Sequence, residues 1–226
     1  MNFDKSFALI EALRKESIGV PTLNRASGAY EFHEHSPKVV AVLKLIRAAH
    51  GLKAAELLRV EGHFFDMGMI TRGVFESVEE IYFLLEKFPE SSNHVDQFVS
   101  AFFESTIEGH LTATTEEVRR KTIRSARVRY LKDAHDQKTQ DMLERIFKTF
   151  SGYVHSKYAH IMEVYGGRQR NFNLNGIPSA AQKALHAEHI KLMASSILHA
   201  AHFISNKLGL NEIQREIFDC AQGEQF

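Results

Sequence analysis

The chain is predicted to be all-α, an antiparallel helical bundle of about seven to eight helices, four of them long. Three observations predict it. Apolar residues recur at three- and four-residue spacing nearly throughout the 226 residues, the period of an amphipathic helix. Only 4 prolines interrupt that pattern. Hairpin signals flanked by alternating apolar residues are absent. Long helices with short connections pack most economically as one bundle. A single domain over 1–226 is expected, with a helix and irregular arm over 1–35, a bundle core over 36–165 and C-terminal helices over 179–222.

The first helix is expected over 3–16, where Phe3, Phe7, Ile10 and Leu13 share a stripe. That amphipathic pattern, with Asp4 and Lys5 inside it, argues against a signal peptide. Residues 17–35 read as irregular. Ser36 followed by Pro37 is a helix start, a capping hydroxyl ahead of proline at the first helical position, and that helix runs to about Val60. The next spans about 64–88, with a loop from Pro89 to Asn93 and a further helix at about 94–111. Thr114 and Glu117 form a capping box for a helix over about 115–132. A long helix is expected over 137–165, then a break from Gly166 to Pro178. Ser179 with Gln182 caps a helix to about Leu208, and Asn211 with Gln214 caps the last.

Composition narrows the function classes. Lys+Arg and Asp+Glu both number 28, so no global field draws the chain to nucleic acid or membrane. The single cysteine, Cys220, excludes an internal disulfide and fits a reducing, cytoplasmic setting. No uncharged apolar run approaches the ~20 residues of a membrane span, so no membrane partner is expected. A Gly-rich phosphate loop and a nucleophile elbow are both absent. His186 with His189 and His199 with His202 form two pairs pointing ~140° apart on one helix, so neither makes a metal site with the other. No metal or other cofactor is predicted.

The helix over 64–88 carries the anomaly. Phe64, Met67, Ile70, Val74, Val78, Ile81 and Leu85 make its core stripe. Roughly opposite lie Phe65, Met69, Arg72, Glu76, Glu79 and Phe83, where charges stand between aromatics. A helix buried on two sides is expected, with an ion cluster in its second interface. Arg72 and Glu76 then admit three readings: a surface i,i+4 pair, a buried bridge that fixes register, or an anion site with Glu76 as base or orienter.

On the long helix, Phe147, Phe150, Val154, Ile161 and Tyr165 form a core stripe, with Ser151, His155, Tyr158 and Met162 at its edge. His155 is expected to be half-buried. If the two helices are neighbours, Glu76 orients His155 while Arg72 holds a phosphate beside it. Arg72, Glu76, Ser151 and His155 are therefore the candidate catalytic residues.

Arg72-x-x-x-Glu76 on one helix, followed by Phe150-Ser151-Gly152-Tyr153-Val154-His155 on a later one, resembles a group of bacterial all-helical proteins with Arg-Ser-x-x-Glu and Ser-x-x-Val-His motifs. That group is similar to the HEPN (higher eukaryotes and prokaryotes nucleotide-binding) superfamily. The resemblance spans about residues 37–165. It implies a homodimer that binds RNA or a nucleotide, or a metal-independent ribonuclease of a defence or toxin–antitoxin system. The superfamily's usual Arg four to six residues before His is replaced here; the nearest preceding arginine is Arg145. A non-enzymatic scaffold or regulatory module, with the same residues as a buried network, is the alternative.

Arg119, Arg120, Lys121, Arg124, Arg127, Arg129 and Lys132 make the one strongly basic run. A solvated helix face is the expected reading, and a phosphate-tracking surface the competing one.

Overall fold

The computed structural model describes residues 3–26, 28–104, 118, 120–131, 137–166 and 171–223. In chain order these form α1 (Asp4–Ile18), β1 (Thr22–Asn24), β2 (Ala29–Glu31), α2 (Pro37–Glu61), α3 (Phe64–Leu85), α4 (Asn93–Glu104), α5 (Arg120–Leu131), α6 (Gln137–Val154), α7 (Tyr158–Met162), α8 (Ala180–Lys207) and α9 (Asn211–Gly223). The all-helical class holds. The two clearest caps also form as the sequence dictates: Val39 N–H donates to Ser36 Oγ at 3.4 Å, and Gln182 N–H to Ser179 Oγ at 3.4 Å. The Thr114–Glu117 capping box lies outside the described residues.

α3 is the central element. It packs against α2, α5, α6 and α8, while α1 and α9 close the far side of α2 and α8. Val74, Val78, Ile81 and Leu85 are fully buried. Burial extends beyond those two faces, because Ser77 and Glu80, which belong to neither stripe, are buried too. Cys220 sits in the buried face of α9, 3.8 Å from Ser6 Oγ of α1, rather than at a frayed end. No helix among the described residues is long and apolar enough to cross a membrane.

Two departures from the periodicity matter. β1 and β2 pair antiparallel, Thr22 opposite Glu31 and Asn24 opposite Ala29. This hairpin has no apolar alternation to announce it. It is held instead by polar side chains: Asn24 Oδ1 accepts the Ala26 N–H at 2.9 Å, and Asn24 Nδ2 donates to Glu31, an Asx-type local turn.

The second departure is the long helix expected over 137–165, which ends at Val154. Ser156 takes a left-handed φ of 48°, and Lys157 N–H bonds back to the Gly152 carbonyl at 2.9 Å, a left-handed helix termination. The chain then folds back on itself. The His160 ring lies against Gly152 where any Cβ would collide, and edge-on to Tyr153 at 4.2 Å. Tyr153 Oη donates to Glu163 at 2.9 Å. Val154, Ile161 and Tyr165 consequently leave the core and are 42%, 41% and 37% exposed. So among the described residues only α2, α3 and α8 exceed twenty residues.

α3 and α6 cross closely because Gly68 offers no side chain: an added Cβ would run into the Tyr153 ring. Gly68→Ala is therefore expected to cost about 1–3 kcal/mol through overpacking. Thermal unfolding should fall by roughly 2–4 °C per kcal/mol for a chain of this size. An unchanged melting temperature would show that the two helices can separate freely.

Candidate functional site

The charged cluster begins with the local geometry of three helices. α5 runs alongside α3 and supplies arginines at helical spacing opposite the α3 glutamates. Arg120 Nη1 donates to Glu80 Oε1 at 2.6 Å, and Arg124 Nε to Glu79 Oε1 at 2.9 Å. Arg129 pairs with Glu86, its Nη2 donating to Oε2 at 2.7 Å. Lys44 of α2 holds the other Glu80 oxygen at 2.7 Å. Arg72 Nε donates to Glu76 Oε1 at 2.9 Å, and Arg120 stands 3.7 Å from Glu76 Oε2. These contacts zip α5 onto α3. Charge pairing lowers the penalty of taking the glutamates out of water.

α6 closes the cluster from the third side. The Phe147 ring is sandwiched between two guanidinium groups, 4.2 Å from Arg72 and 3.8 Å from Arg124, each a cation–π contact. Arg127 is the outlier. It is 8% exposed, its Nη2 reaches only the Ser196 hydroxyl at 3.4 Å, and its guanidinium lies 6.0 Å from the Phe75 and Tyr82 rings. Burial lowers its pKa. Burial also raises the Glu79 carboxyl above the usual carboxylate range, although Arg124 opposes that shift. Arg72 Nη1, Glu79 Oε2, Arg124 Nη2 and Arg127 Nε are buried without a hydrogen-bond partner among the described residues.

Two spaces flank the cluster. A narrow recess of about 10 Å³ is lined by Arg72, Phe75, Glu79, Arg127 and α6 side chains including Phe147. A surface groove of about 530 Å³ runs between α5 and α6, lined by Arg120, Lys121, Arg124, Ser125, Val128, Arg129, Glu144 and Phe147. Phe147 lines both.

Nothing matches this chain among protein-family models, curated proteins or solved structures.

The candidate residues separate into two groups. Arg72 and Glu76 come together as a half-buried pair inside a larger network. Ser151 is half-buried, and its carbonyl accepts the His155 N–H at 3.1 Å. His155 is exposed, one residue beyond the end of α6, instead of half-buried on a continuous helix. It lies about 12 Å along the axis from Phe147, where α6 meets Arg72. Among the described residues its side chain has no hydrogen-bond partner. Glu76 is engaged by Arg72 and Arg120. The expected Glu76–His155 contact is not formed, because α6 ends and reverses before it can present His155 to α3.

The basic run also departs from expectation. Arg119 and Lys132 lie outside the described residues, and the α5 arginines are mostly docked on α3 rather than solvated. The residues that periodicity missed are Glu80, Glu86, Arg124 and Arg127. Their signal was a match of spacings: Arg120, Arg124 and Arg127 recur at four and three residues, and Glu79 and Glu80 lie three and four residues after Glu76 on α3, with Glu86 just past its end.

Among the described residues no three His, Cys, Asp or Glu side chains cluster as a metal site. The His186–His189 pair has a different character. Their Nδ1 atoms are 3.2 Å apart, His186 stacks on Phe64 at 4.1 Å, and His189 meets Phe150 edge-on. Burial, the neighbouring His189 and Arg59 push His186 down to about 4; burial also lowers His189, against the pull of Glu188. In the unfolded chain both rings titrate near 6.5, so between pH 6.5 and 4 the unfolded state binds more protons. Their contribution is intact above pH 6.5 and is lost as pH falls toward 4. With solvent screening at the open edge, the loss is on the order of 1–2 kcal/mol. Melting temperatures measured across this window should slope less steeply in His186→Phe than in the unsubstituted chain.

Proposed function

We propose that this protein binds RNA or a nucleotide through phosphate, using the groove between α5 and α6, and that the Arg72–Glu76 cluster beneath it is framework rather than a catalytic centre. The observation that carries this reading is the groove lining: Arg120, Lys121, Arg124 and Arg129 against Glu144, with an aromatic ring in the wall. Lys44, Arg72, Arg120, Lys121, Arg124, Arg127 and Arg129 together outnumber Glu76, Glu79, Glu80 and Glu86, so the locality is cationic in a chain with no net charge. Cationic grooves attract phosphates, and aromatic walls suit bases. The likeness to HEPN proteins supports the same ligand class.

Binding is favoured over cleavage because the groove lining contains no histidine, and the glutamates beside its arginines are mostly tied up in ion pairs. Fluorescence anisotropy with a labelled single-stranded RNA, alongside a gel assay of its integrity, tests this. The unsubstituted protein and His155→Ala are expected to bind equally and leave the RNA intact. RNA degradation that disappears in His155→Ala would restore a ribonuclease reading. The homodimer implied by the same likeness belongs to this proposal, with the exposed Leu57, Val60, Leu185 and Leu192 of α2 and α8 offering apolar surface for it. Sedimentation velocity distinguishes a dimer from a monomer.

A further inference from the structure

Arg127 is a buried cation that receives no carboxylate. Glu79, the nearest acid in the cavity wall, gives Oε1 to Arg124, and its Oε2 is unpaired. Glu79 faces Arg127 only at a distance, and a buried cation with no carboxylate hydrogen-bonded to it is unfavourable; such a group in a cavity wall marks a site for an anion. The cavity it lines, at about 10 Å³, has room for a single water and no more. The neighbouring groove, at about 530 Å³, is ample, and Phe147 borders both. Phe147 is held there by its ring faces, between Arg72 and Arg124. An oxyanion offers those same guanidinium groups charge-assisted hydrogen bonds, which are directional and stronger.

Resting on the groove reading above, we infer that Phe147 is a gate, and that a terminal phosphate monoester displaces it to reach Arg72, Arg124 and Arg127. The unpaired N–H groups belong to three different arginines, Arg72 Nη1, Arg124 Nη2 and Arg127 Nε, and a monoester presents three terminal oxygens. A phosphodiester presents two, and its chain continues on both sides, so it does not fit end-on into a recess this small. The ligand is therefore a chain end or a mononucleotide.

The chain contains no tryptophan, so a Phe147→Trp variant carries a single reporter at the gate. Three probes are titrated into the full chain: a short RNA with a 5′-phosphate, the same RNA with a 5′-hydroxyl, and adenosine monophosphate. The phosphorylated RNA is expected to bind at least about tenfold more tightly than its hydroxyl twin, and the reporter emission should shift only with phosphate-bearing probes. In Arg127→Met that preference should vanish while the melting temperature changes little, because the buried guanidinium removed is one that no carboxylate hydrogen-bonds. A response to adenosine monophosphate as strong as to the RNA identifies a mononucleotide as the source; a response to the RNA alone identifies a strand end. Equal affinity for the two RNA ends, with steady emission, overturns the gate and leaves the groove reading standing. Absence of binding by every probe overturns both. The comparison of RNA ends uses the unsubstituted protein and so does not depend on any variant folding.

Discussion

Glu79→Ala is expected to be the most destabilising of the substitutions considered, lowering stability by about 3–5 kcal/mol. Glu79 is 3% exposed and bonds Arg124 at 2.9 Å. Its charge also faces Arg127 and Arg120. Removing it leaves the half-buried Arg124 and the buried Arg127 without their carboxylate, since no other described carboxylate faces Arg127. For a chain of this length the melting temperature should drop by on the order of 10 °C. The same argument sets the behaviour of the double variant. In Glu79→Met with Arg124→Met, both members of the hydrogen-bonded pair give way to apolar side chains of similar length, and the part of the loss that came from Arg124 should be recovered. Equal melting temperatures for single and double variants would mean that Glu79 contributes by filling space and not by charge.

Charge reversal in the groove should act on binding and spare the fold. Lys121 lines the groove, and Arg129, 43% exposed at its side chain, pairs with Glu86 at the surface. Exposed pairs contribute about 0–1 kcal/mol, so Lys121→Glu with Arg129→Glu should melt within a few degrees of the unsubstituted chain. RNA affinity, by contrast, should fall about 100-fold at about 0.1 M salt, because two phosphate contacts become repulsive. Binding that survives this reversal would place the nucleic-acid surface elsewhere. Loss of both binding and stability would make the groove residues structural.

These two predictions rest on features of unequal visibility in the sequence. The helix starts were legible because a cap is a local event: Ser36 before Pro37 and Ser179 three residues before Gln182 each specify a terminus within one turn. The double burial of α3 was legible from Phe65 and Phe83 bracketing charges. The partners of those charges were not, since Arg120, Arg124 and Arg127 lie some forty residues on and their own text reads as one basic block. Only the arrival of α5 on α3 converts that block into a docked face and a groove face.

The end of α6 was hidden for a different reason. Apolar residues at Val154, Ile161 and Tyr165 continue the helical period across a break set by one left-handed residue, Ser156. Periodicity is blind to a single φ. His155 was assigned to the site on that continuity, and it is the continuity that fails. The hairpin at β1 and β2 escaped notice because side-chain hydrogen bonds of Asn24 hold it, with no apolar pattern along its strands.

The most direct measurement is the salt dependence of single-stranded RNA binding to the unsubstituted chain, compared with Lys121→Glu/Arg129→Glu. With about three phosphates neutralised, log K against log salt should fall with a slope near −2 for the unsubstituted protein, and the variant should bind more weakly with a shallower slope. Absence of RNA binding at low salt, or identical slopes and affinities in the two proteins, would contradict a phosphate-binding groove between α5 and α6.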